Sequence, residues 1–383
     1  MIRFLTAGES HGPGLVTIVE GLPSGLELST DGLGDELARR RLGFGRGRRM
    51  RLERDELEIL GGVRFGRSLG SPLAVLIRNT EWPKWSEEMS ASAGESRRPL
   101  TTPRPGHADL AGMQKYDTHD ARDILERASA RETAARTVAG YAAKVLLDAL
   151  GVGVLSHVVA VGDVVANHDA LPTVSDLDAI DDSPVRAFGA EDESAMVAAI
   201  EAAQKDRDTL GGVVEVLAYG LPPGVGSHVH WDRKLDGLLA QALMSIQAIK
   251  GVEVGDGFDV ARRRGSEAHD EIYRSDDAFD RATNRAGGTE GGMTNGSVLR
   301  VRAAMKPIST VMKPLDTVNV ETKEPEKAFK ERSDVCAVPA AGVVAEQMVA
   351  IVLARELQRL LGGDTVTDMV DRLDAYRRRL REF

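Results

Sequence analysis

The sequence predicts an α+β fold in which antiparallel sheets are sandwiched with helices. Three observations predict it. Short alternating runs broken by glycine and proline turns fill roughly the first 80 residues. Helical patterns run over 120–150 and over two segments that close the chain, about 342–361 and 364–382. The order strand, Gly-Leu-Pro-x-Gly turn, helix occurs twice.

Taken in order, 15–19 alternates as a strand and Gly21-Leu22-Pro23-Ser24-Gly25 breaks it. Ser29, Thr30 and Asp31 suit the start of a helix that runs through Glu36 and Leu37 to Arg41. Residues 43–51 (GFGRGRRMR) read as a loop, 73–77 as a strand, and the proline- and serine-rich 80–106 as a long mobile surface loop. Within 120–150, Ser129-Ala130-Arg131-Glu132 fits a capping box and Gly151 a stop. Residues 163–195 are acidic and irregular, an expected exposed excursion. Then 213–217 alternates as a strand, Gly220-Leu221-Pro222-Pro223-Gly224 echoes the first turn, and Asp232 opens a helix to about Ile246. Gly21 and Gly220 stand 199 positions apart, and the echo reads either as an internal duplication or as chance. Asn295-Gly296 feeds an alternating run, 298–303, expected as a hairpin strand.

Composition narrows the function. The 383 residues are 42% hydrophobic and 28% charged, enough apolar material for a substantial core. A net charge of -10 argues against general nucleic-acid binding. Yet eight arginines and a single acid, Glu53, lie between Arg39 and Arg54, which suggests a local site for a small polyanion. The one cysteine, Cys336, excludes an intramolecular disulfide and a cysteine-based zinc site, and no metal is expected. The opening residues lack a signal-peptide pattern and no apolar run reads as membrane-spanning, so the expectation is cytoplasmic, with no membrane partner.

Five segments carry chemistry. In Gly8-Glu9-Ser10-His11-Gly12-Pro13-Gly14 the glycines let backbone approach a ligand, and the histidine suits proton transfer near neutral pH. A plain turn with a surface histidine fits equally. Arg104-Pro105-Gly106-His107-Ala108-Asp109 places a second histidine in a loop, with a carboxylate two residues on. Arg127-Ala128-Ser129 precedes a helix start, a natural anion site that Arg127 and Arg131 would strengthen, although solvated arginines beside a capped helix fit too. Gly287 to Gly292 with Lys306-Pro307-Ile308-Ser309-Thr310 suits a flat ring and an anionic group. Arg332-Ser333-Asp334 offers a salt bridge or a working carboxylate. No Rossmann or P-loop motif is present.

In this order, GESHGPGL (8–15), RPGHAD (104–109), ERASARETAARTVAG (126–140), QAIKGVEVGDGF (247–258), NRAGGTEGGMTNG (284–296), KPIST (306–310) and RSDVCAVPAAG (332–342) resemble the chorismate synthase family. The likeness covers nearly the whole chain and implies a single domain over 1–383. It implies a cytoplasmic homotetrameric lyase of the shikimate pathway of aromatic amino acid biosynthesis. The reaction implied is a 1,4-anti elimination of phosphate from 5-enolpyruvylshikimate 3-phosphate, giving chorismate, with reduced FMN and no net redox change. Carried over, His11, His107 and Asp334 are the catalytic residues, with Ser10 and Ser129 tuning hydrogen bonds. The flavin falls to Arg127, Ala128, Ser129, Gln247, Ala248, Gly291, Lys306, Pro307, Ile308, Ser309, Thr310 and Arg332.

Arg40 and Arg46 match positions associated with the nicotinamide cofactor NADP. With Arg49 and Arg131 they also suit the substrate's phosphate and carboxylates, the role preferred here. Thr289-Glu290 departs from the apolar pair expected in the glycine-rich loop, so Glu290 either weakens flavin binding or points to solvent. The motifs fill the chain and leave no room for a fused reductase, so reduced flavin is expected from a separate one. A flavin-dependent oxidoreductase and a polyanion- or RNA-binding protein are the alternatives.

Overall fold

Residues 14–20 and 73–78 put every second side chain on one apolar face, as a half-buried strand requires. The structure is a computed structural model that describes residues 1–46, 55–166, 170–275, 278–329 and 334–383. Its first sheet comprises β1 (Arg3–Ala7), β2 (Gly14–Glu20), β3 (Glu56–Gly61) and β4 (Leu73–Arg78), in the antiparallel order β1-β2-β4-β3. Leu15, Thr17 and Val19 of β2 and Leu73, Val75 and Ile77 of β4 are buried together on the inner face. Between β2 and β3 runs α1 (Thr30–Arg41), whose N-cap Ser29 accepts from Gly32 N, as the sequence suggested.

Three helices follow: α2 (Asp109–Tyr116), α3 (Arg122–Ala128) and α4 (Thr133–Ala149). The single helical segment expected over 120–150 is interrupted at Ser129, which is extended, and by a 3-10 turn over Ala130–Glu132. Ser129 does accept from Arg131 N. The other arm of the expected capping box is not made, because the Glu132 carboxylate is engaged by Thr6, Arg136 and Gln247.

The second sheet contains β5 (Gly153–Val161), β6 (Val164–Val165), β7 (Gly212–Tyr219), β8 (Ile249–Val254) and β9 (Leu299–Met305), in the antiparallel order β8-β9-β7-β5-β6. The long α5 (Ala190–Lys205) precedes β7, and α6 (Leu235–Met244) follows it. The chain ends in α7 (Val338–Leu361) and α8 (Val366–Glu382). α4 packs on β2, α7 packs on β5 and β7, and α4 and α7 pack on each other. Helices therefore fill the space between two antiparallel sheets, the α+β sandwich the sequence predicts. The hairpin expected at Asn295-Gly296 forms earlier, between Thr289–Glu290 and Met293–Thr294; β9 instead pairs with β7 and β8.

The faint repeat is structural. Two strands, a helix, two strands and a long helix occur twice, as β1-β2-α1-β3-β4-α4 and β5-β7-α6-β8-β9-α7. Each set also has the same spatial order, β1-β2-β4-β3 and β5-β7-β9-β8. The turn glycines adopt matching left-handed angles: φ is 82° at Gly21 and 80° at Gly220, 95° at Gly25 and 93° at Gly224. A shared path of this length is what duplication of one unit would leave behind.

The halves differ in their outer faces. The excursion expected to be exposed instead covers the second sheet: Ile180 is buried against Leu155 and Leu217, with Leu171, Leu177 and Phe188 beside it. The first sheet has Leu5 68% and Ile18 42% exposed on its outer face. One expectation fails on length and composition. Val338–Leu361 is 24 residues with mean hydropathy 1.5, long and apolar enough to cross a membrane, yet 94% of its apolar window is buried inside the fold. α7 is the central core helix.

A charged network crosses that core. Glu346 of α7 accepts from Arg39 of α1 at 2.8 Å, Lys144 of α4 at 2.6 Å and Ser156 of β5 at 2.9 Å. Glu36 takes Lys144 at 2.6 Å, and Asp181 takes Arg39 at 2.6 Å and also Arg186. Burial opposes ionisation of Glu346, but Arg39 and Lys144 overcome it and hold the carboxyl far below its usual range. Glu346→Ala removes the fully buried carboxylate that Arg39 and Lys144 share, so it is expected to cost about 3–5 kcal/mol of unfolding free energy. Guanidinium denaturation measures this, and a loss under about 0.5 kcal/mol, the size of an ordinary surface substitution, would show that the network does not brace the layer.

Candidate active site

The loop between β1 and β2 carries the first histidine, and buried groups hold it on both sides. Asn79, at the end of β4, donates through Nδ2 to Glu9 O at 3.0 Å and Gly12 O at 2.8 Å. Ser10 N donates to Glu126 O at 3.0 Å. Gly8 has φ 102°, and a Cβ there would lie 2.1 Å from Gly14 O, so only glycine lets the loop close. His11 meets Glu126 twice: its backbone N donates to Oε2 at 2.8 Å, and its ring Nδ1 lies 2.8 Å from Oε1. Burial opposes ionisation of Glu126, but the hydrogen bonds from His11 and the charge of Arg122 keep its carboxyl below the usual range. Ser10 pairs with Ser129, whose Oγ donates to Ser10 Oγ at 3.2 Å, and not with His11.

His107 has its own carboxylate. Its Nδ1 contacts Asp109 Oδ1, and Asp109, fully buried at the start of α2, also accepts from Arg104 Nε at 2.9 Å and Arg104 N at 3.1 Å. Burial pushes the Asp109 carboxyl up, but the hydrogen bonds from His107 and Arg104 win and hold it down at about 2. Arg104 also donates to Thr310 Oγ1 at 3.0 Å, and Lys306 Nζ donates to Gly106 O at 2.7 Å. The KPIST segment therefore lies against the His107 loop. Its other neighbour is Ala248, whose carbonyl accepts from Lys306 N at 3.0 Å and whose φ is 68°. Gln247 donates to Glu132 Oε2 at 3.1 Å, which joins this group to α4 and, through Thr6, to the His11 side. Burial, then the nearby charge of Lys250, lowers the Lys306 ammonium below its usual range.

The arginines singled out in the sequence are held in differing states. Arg127 donates to Gly8 O at 3.0 Å and Thr6 O at 2.8 Å. Arg131 is held by Asp55 at 2.5 Å and Asn79 at 3.1 Å, with Nη2 buried and without a hydrogen-bond partner. Arg40 is 3% exposed and donates to Thr133 Oγ1 at 3.3 Å. Arg46 pairs with Asp334 at 3.2 Å, so two residues singled out separately in the sequence meet. Arg39, counted with the arginine cluster, belongs to the core network instead. Arg49 and Arg332 lie outside the described residues.

Gly291 is the exception among the expected flavin residues. Its hairpin stands beside Gly226 and Lys234, near the Leu299 end of β9, whereas Lys306 follows the Met305 end. Seven strand residues separate the two ends, roughly 20 Å. Within one chain Gly291 does not join the other residues. Glu290 is exposed, as one of the two expectations had it, and Arg281 grips both of its oxygens at 3.0 and 2.9 Å. The loop over 80–106 is largely exposed, as expected, but its Trp85 stacks on the His11 ring with centroids 4.1 Å apart. Sequence reasoning missed Glu126, Asn79, Trp85 and Asp55 as site neighbours. Glu126 alone left a local signal, an acid four residues after Arg122 on one helix face.

Two loop histidines rest on buried carboxylates, and comparison with known proteins assigns the class. The family model for chorismate synthase matches residues 2–358. Chorismate synthases of Acidothermus cellulolyticus and Beutenbergia cavernae are 63% and 61% identical, each over 98% of this chain and 98% of the relative. A chorismate synthase crystal structure superposes with a TM-score of 0.81 at 42% identity, covering 100% of this chain and 99% of the other. The protein is an enzyme of the lyase class. The chain belongs to the chorismate synthase family.

The Asp109 interactions make stability depend on pH. Its carboxyl lies at about 2 in the fold against 3.8 ordinarily, so its contribution is complete above the ordinary value and is lost as pH falls from there towards 2. Asp109→Asn is expected to flatten that acid limb and to lower stability at neutral pH by about 3 kcal/mol, because Arg104 loses its buried partner. Thermal unfolding from pH 2 to pH 7 checks both, and an acid limb unchanged in the variant would exclude Asp109 as its source.

Proposed function

We propose that the chain converts 5-enolpyruvylshikimate 3-phosphate to chorismate and phosphate by 1,4-anti elimination, in the shikimate pathway and with reduced FMN as cofactor. One observation carries the reading. At one end of the sandwich stand two histidines, each braced by a buried carboxylate, among arginines and a lysine. A substrate with a phosphate and two carboxylates needs that concentration of positive charge.

The donor set fits a flavin. Gln247 Oε1 is buried without a hydrogen-bond partner, a vacancy suited to a ring N–H. The residues that would hold FMN are Arg127, Ala128, Ser129, Gln247, Ala248 and the run from Lys306 to Thr310, with Arg332. When bound, reduced FMN supplies transient electron density that assists C–O cleavage. Gly291 would join from a second copy, since its own chain keeps it at the far end of β9.

The remaining steps fall to the protein's own groups. Arg40, Arg46, Arg49 and Arg131 hold the substrate's anionic groups, and the free Nη2 of Arg131 is one donor ready for them. His11 stabilises charge developing on the departing phosphate. His107 acts as an acid beside the ring, and Asp334, oriented by Arg46, assists removal of the substrate proton. Ser10 and Ser129 set the hydrogen bonds around His11. The loop over 80–106 closes over bound ligands and excludes water. The enzyme acts in the cytoplasm as a homotetramer. The exposed Leu5 and Ile18 on the uncovered sheet are the surface where copies meet. Reduced flavin comes from a separate reductase.

Anaerobic phosphate release, with and without dithionite-reduced FMN, tests the reaction. Release only with reduced flavin, one chorismate per phosphate and no flavin consumed, is expected. NAD(P)H alone is expected to support little turnover; its steady oxidation without phosphate release would point to an oxidoreductase. Protease cleavage within 80–106 is expected to slow when both ligands are bound, and unchanged cleavage would remove the closure. Sedimentation is expected to give a tetramer, and the double variant Leu5→Glu, Ile18→Glu a smaller species. A tetramer retained there would move the interface elsewhere.

A further inference from the structure

His11 is the only site histidine whose backbone and ring are both taken by one side chain. Glu126 sits on α3, four residues after Arg122, and is 3% exposed. Its Oε2 accepts from His11 N at 2.8 Å and its Oε1 lies 2.8 Å from His11 Nδ1, while Arg122 Nη1 donates to the same Oε1 at 3.0 Å. Its own carbonyl takes Ser10 N at 3.0 Å. Trp85 lies over the imidazole, tilted by 36°, and the Arg122 guanidinium stands 4.8 Å from the Trp85 ring centre. Arg122 thus pins both the carboxylate and the indole that confine the imidazole.

The consequence is chemical. A carboxylate can only accept, so the Nδ1 that faces it must carry a proton. Nε2 is then the ring atom left for a ligand, and the stacked indole prevents the ring from turning over. We propose that Glu126 is the positioning residue for His11, fixing the Nδ1–H tautomer and stabilising the imidazolium so that Nε2 alone delivers a proton or hydrogen bond to the leaving phosphate, with Trp85 holding the ring plane. The assignment rests on the reaction proposed above. In that step the Nε2–H proton passes to a phosphate oxygen as the C–O bond breaks and its electron pair leaves with the phosphate. His11 becomes neutral, and Glu126 keeps its negative charge throughout.

Other charged groups near the ring do not share this role. Glu9 is on the same loop and packs against Gly12, Arg127 is engaged by Gly8 O and Thr6, and Lys84, beside Trp85, pairs with Glu81. Asn79, which supports the loop from β4, is uncharged. Glu126 is therefore the carboxylate in direct contact with the ring.

The test uses Glu126→Gln, Glu126→Asp and Trp85→Phe in the full chain, with folding checked by thermal unfolding. Glu126→Gln keeps the shape and removes the charge. It is expected to lower kcat for phosphate release by about 100-fold, within the range of general acid catalysis, with KM little changed. Glu126→Asp keeps the charge and is expected to recover part of the lost kcat. Nitrogen-15 NMR of labelled histidine, on protein without ligands, is expected to show one tautomer at His11 in the parent and a mixture in Glu126→Gln and in Trp85→Phe. A folded Glu126→Gln protein with unchanged tautomer and kcat would overturn the proposal. Should the parent release no phosphate at all, the reaction assigned above fails, while the NMR comparison still decides whether Glu126 fixes the ring.

Discussion

A carboxylate with no exposure at the middle of a helical layer is unstable unless cations reach it, and Glu346 is such a group. Its partners come from α1, α4 and β5, so the network is complete only when both sheets and the helices between them are in register. Close helix contact makes this reachable. A Cβ on Gly140 would lie 2.3 Å from Gln347 Cβ, so glycine alone lets α4 approach α7 here. One turn further along α4, Lys144 meets Glu346. Satisfying one buried charge therefore fixes the relative position of the elements that lead into the site.

The site repeats the device on a smaller scale. Glu126, Asp109, Asp55 and Glu132 are buried acids, and each is anchored by an arginine while it holds a second group in place. Arginine suits this because its fork serves two partners at once. Loops rich in glycine have little stiffness of their own, so ionic anchors from helices supply it. The start of α4 contributes most, as Ser129, Arg131, Glu132 and Thr133 each tie to a different strand, loop or helix.

One path serves both halves of the fold, and the differences between the halves shape the candidate site. Both halves follow the same β-β-α-β-β-α path, yet the first strand connection is a short loop bearing His11 and its counterpart is a long excursion that covers the second sheet. The first sheet keeps an apolar outer face. At the ends of the fourth strands the halves also differ: β4 leads to Asn79 and Trp85, β9 to Lys306 and Thr310. Asn79 and Trp85 hold the His11 loop and ring, whereas Lys306 and Thr310 hold the His107 loop.

Much of this was legible in the sequence. Alternation marked β2, β4, β7 and β9, Ser29 marked the start of α1, and Gly151 marked the end of α4, because these signals act within a few residues. The loop motifs marked both histidines and the lysine segment. The sequence by itself also determined family membership. Long-range pairing was not legible. The pattern S-x-x-E promised a capping box, but Glu132 found stronger partners in Thr6, Arg136 and Gln247. Glu126 stood inside a quoted motif, yet its hold on a histidine 115 positions away depends on how α3 meets the β1–β2 loop. Gly291 looked like a neighbour of Lys306 along the chain, and the extended β9 between them sets the two apart. Hydrophobic period and turn chemistry are local and were readable; the burial of charge is decided by which distant side chains arrive to satisfy it, and only the tertiary structure decides that.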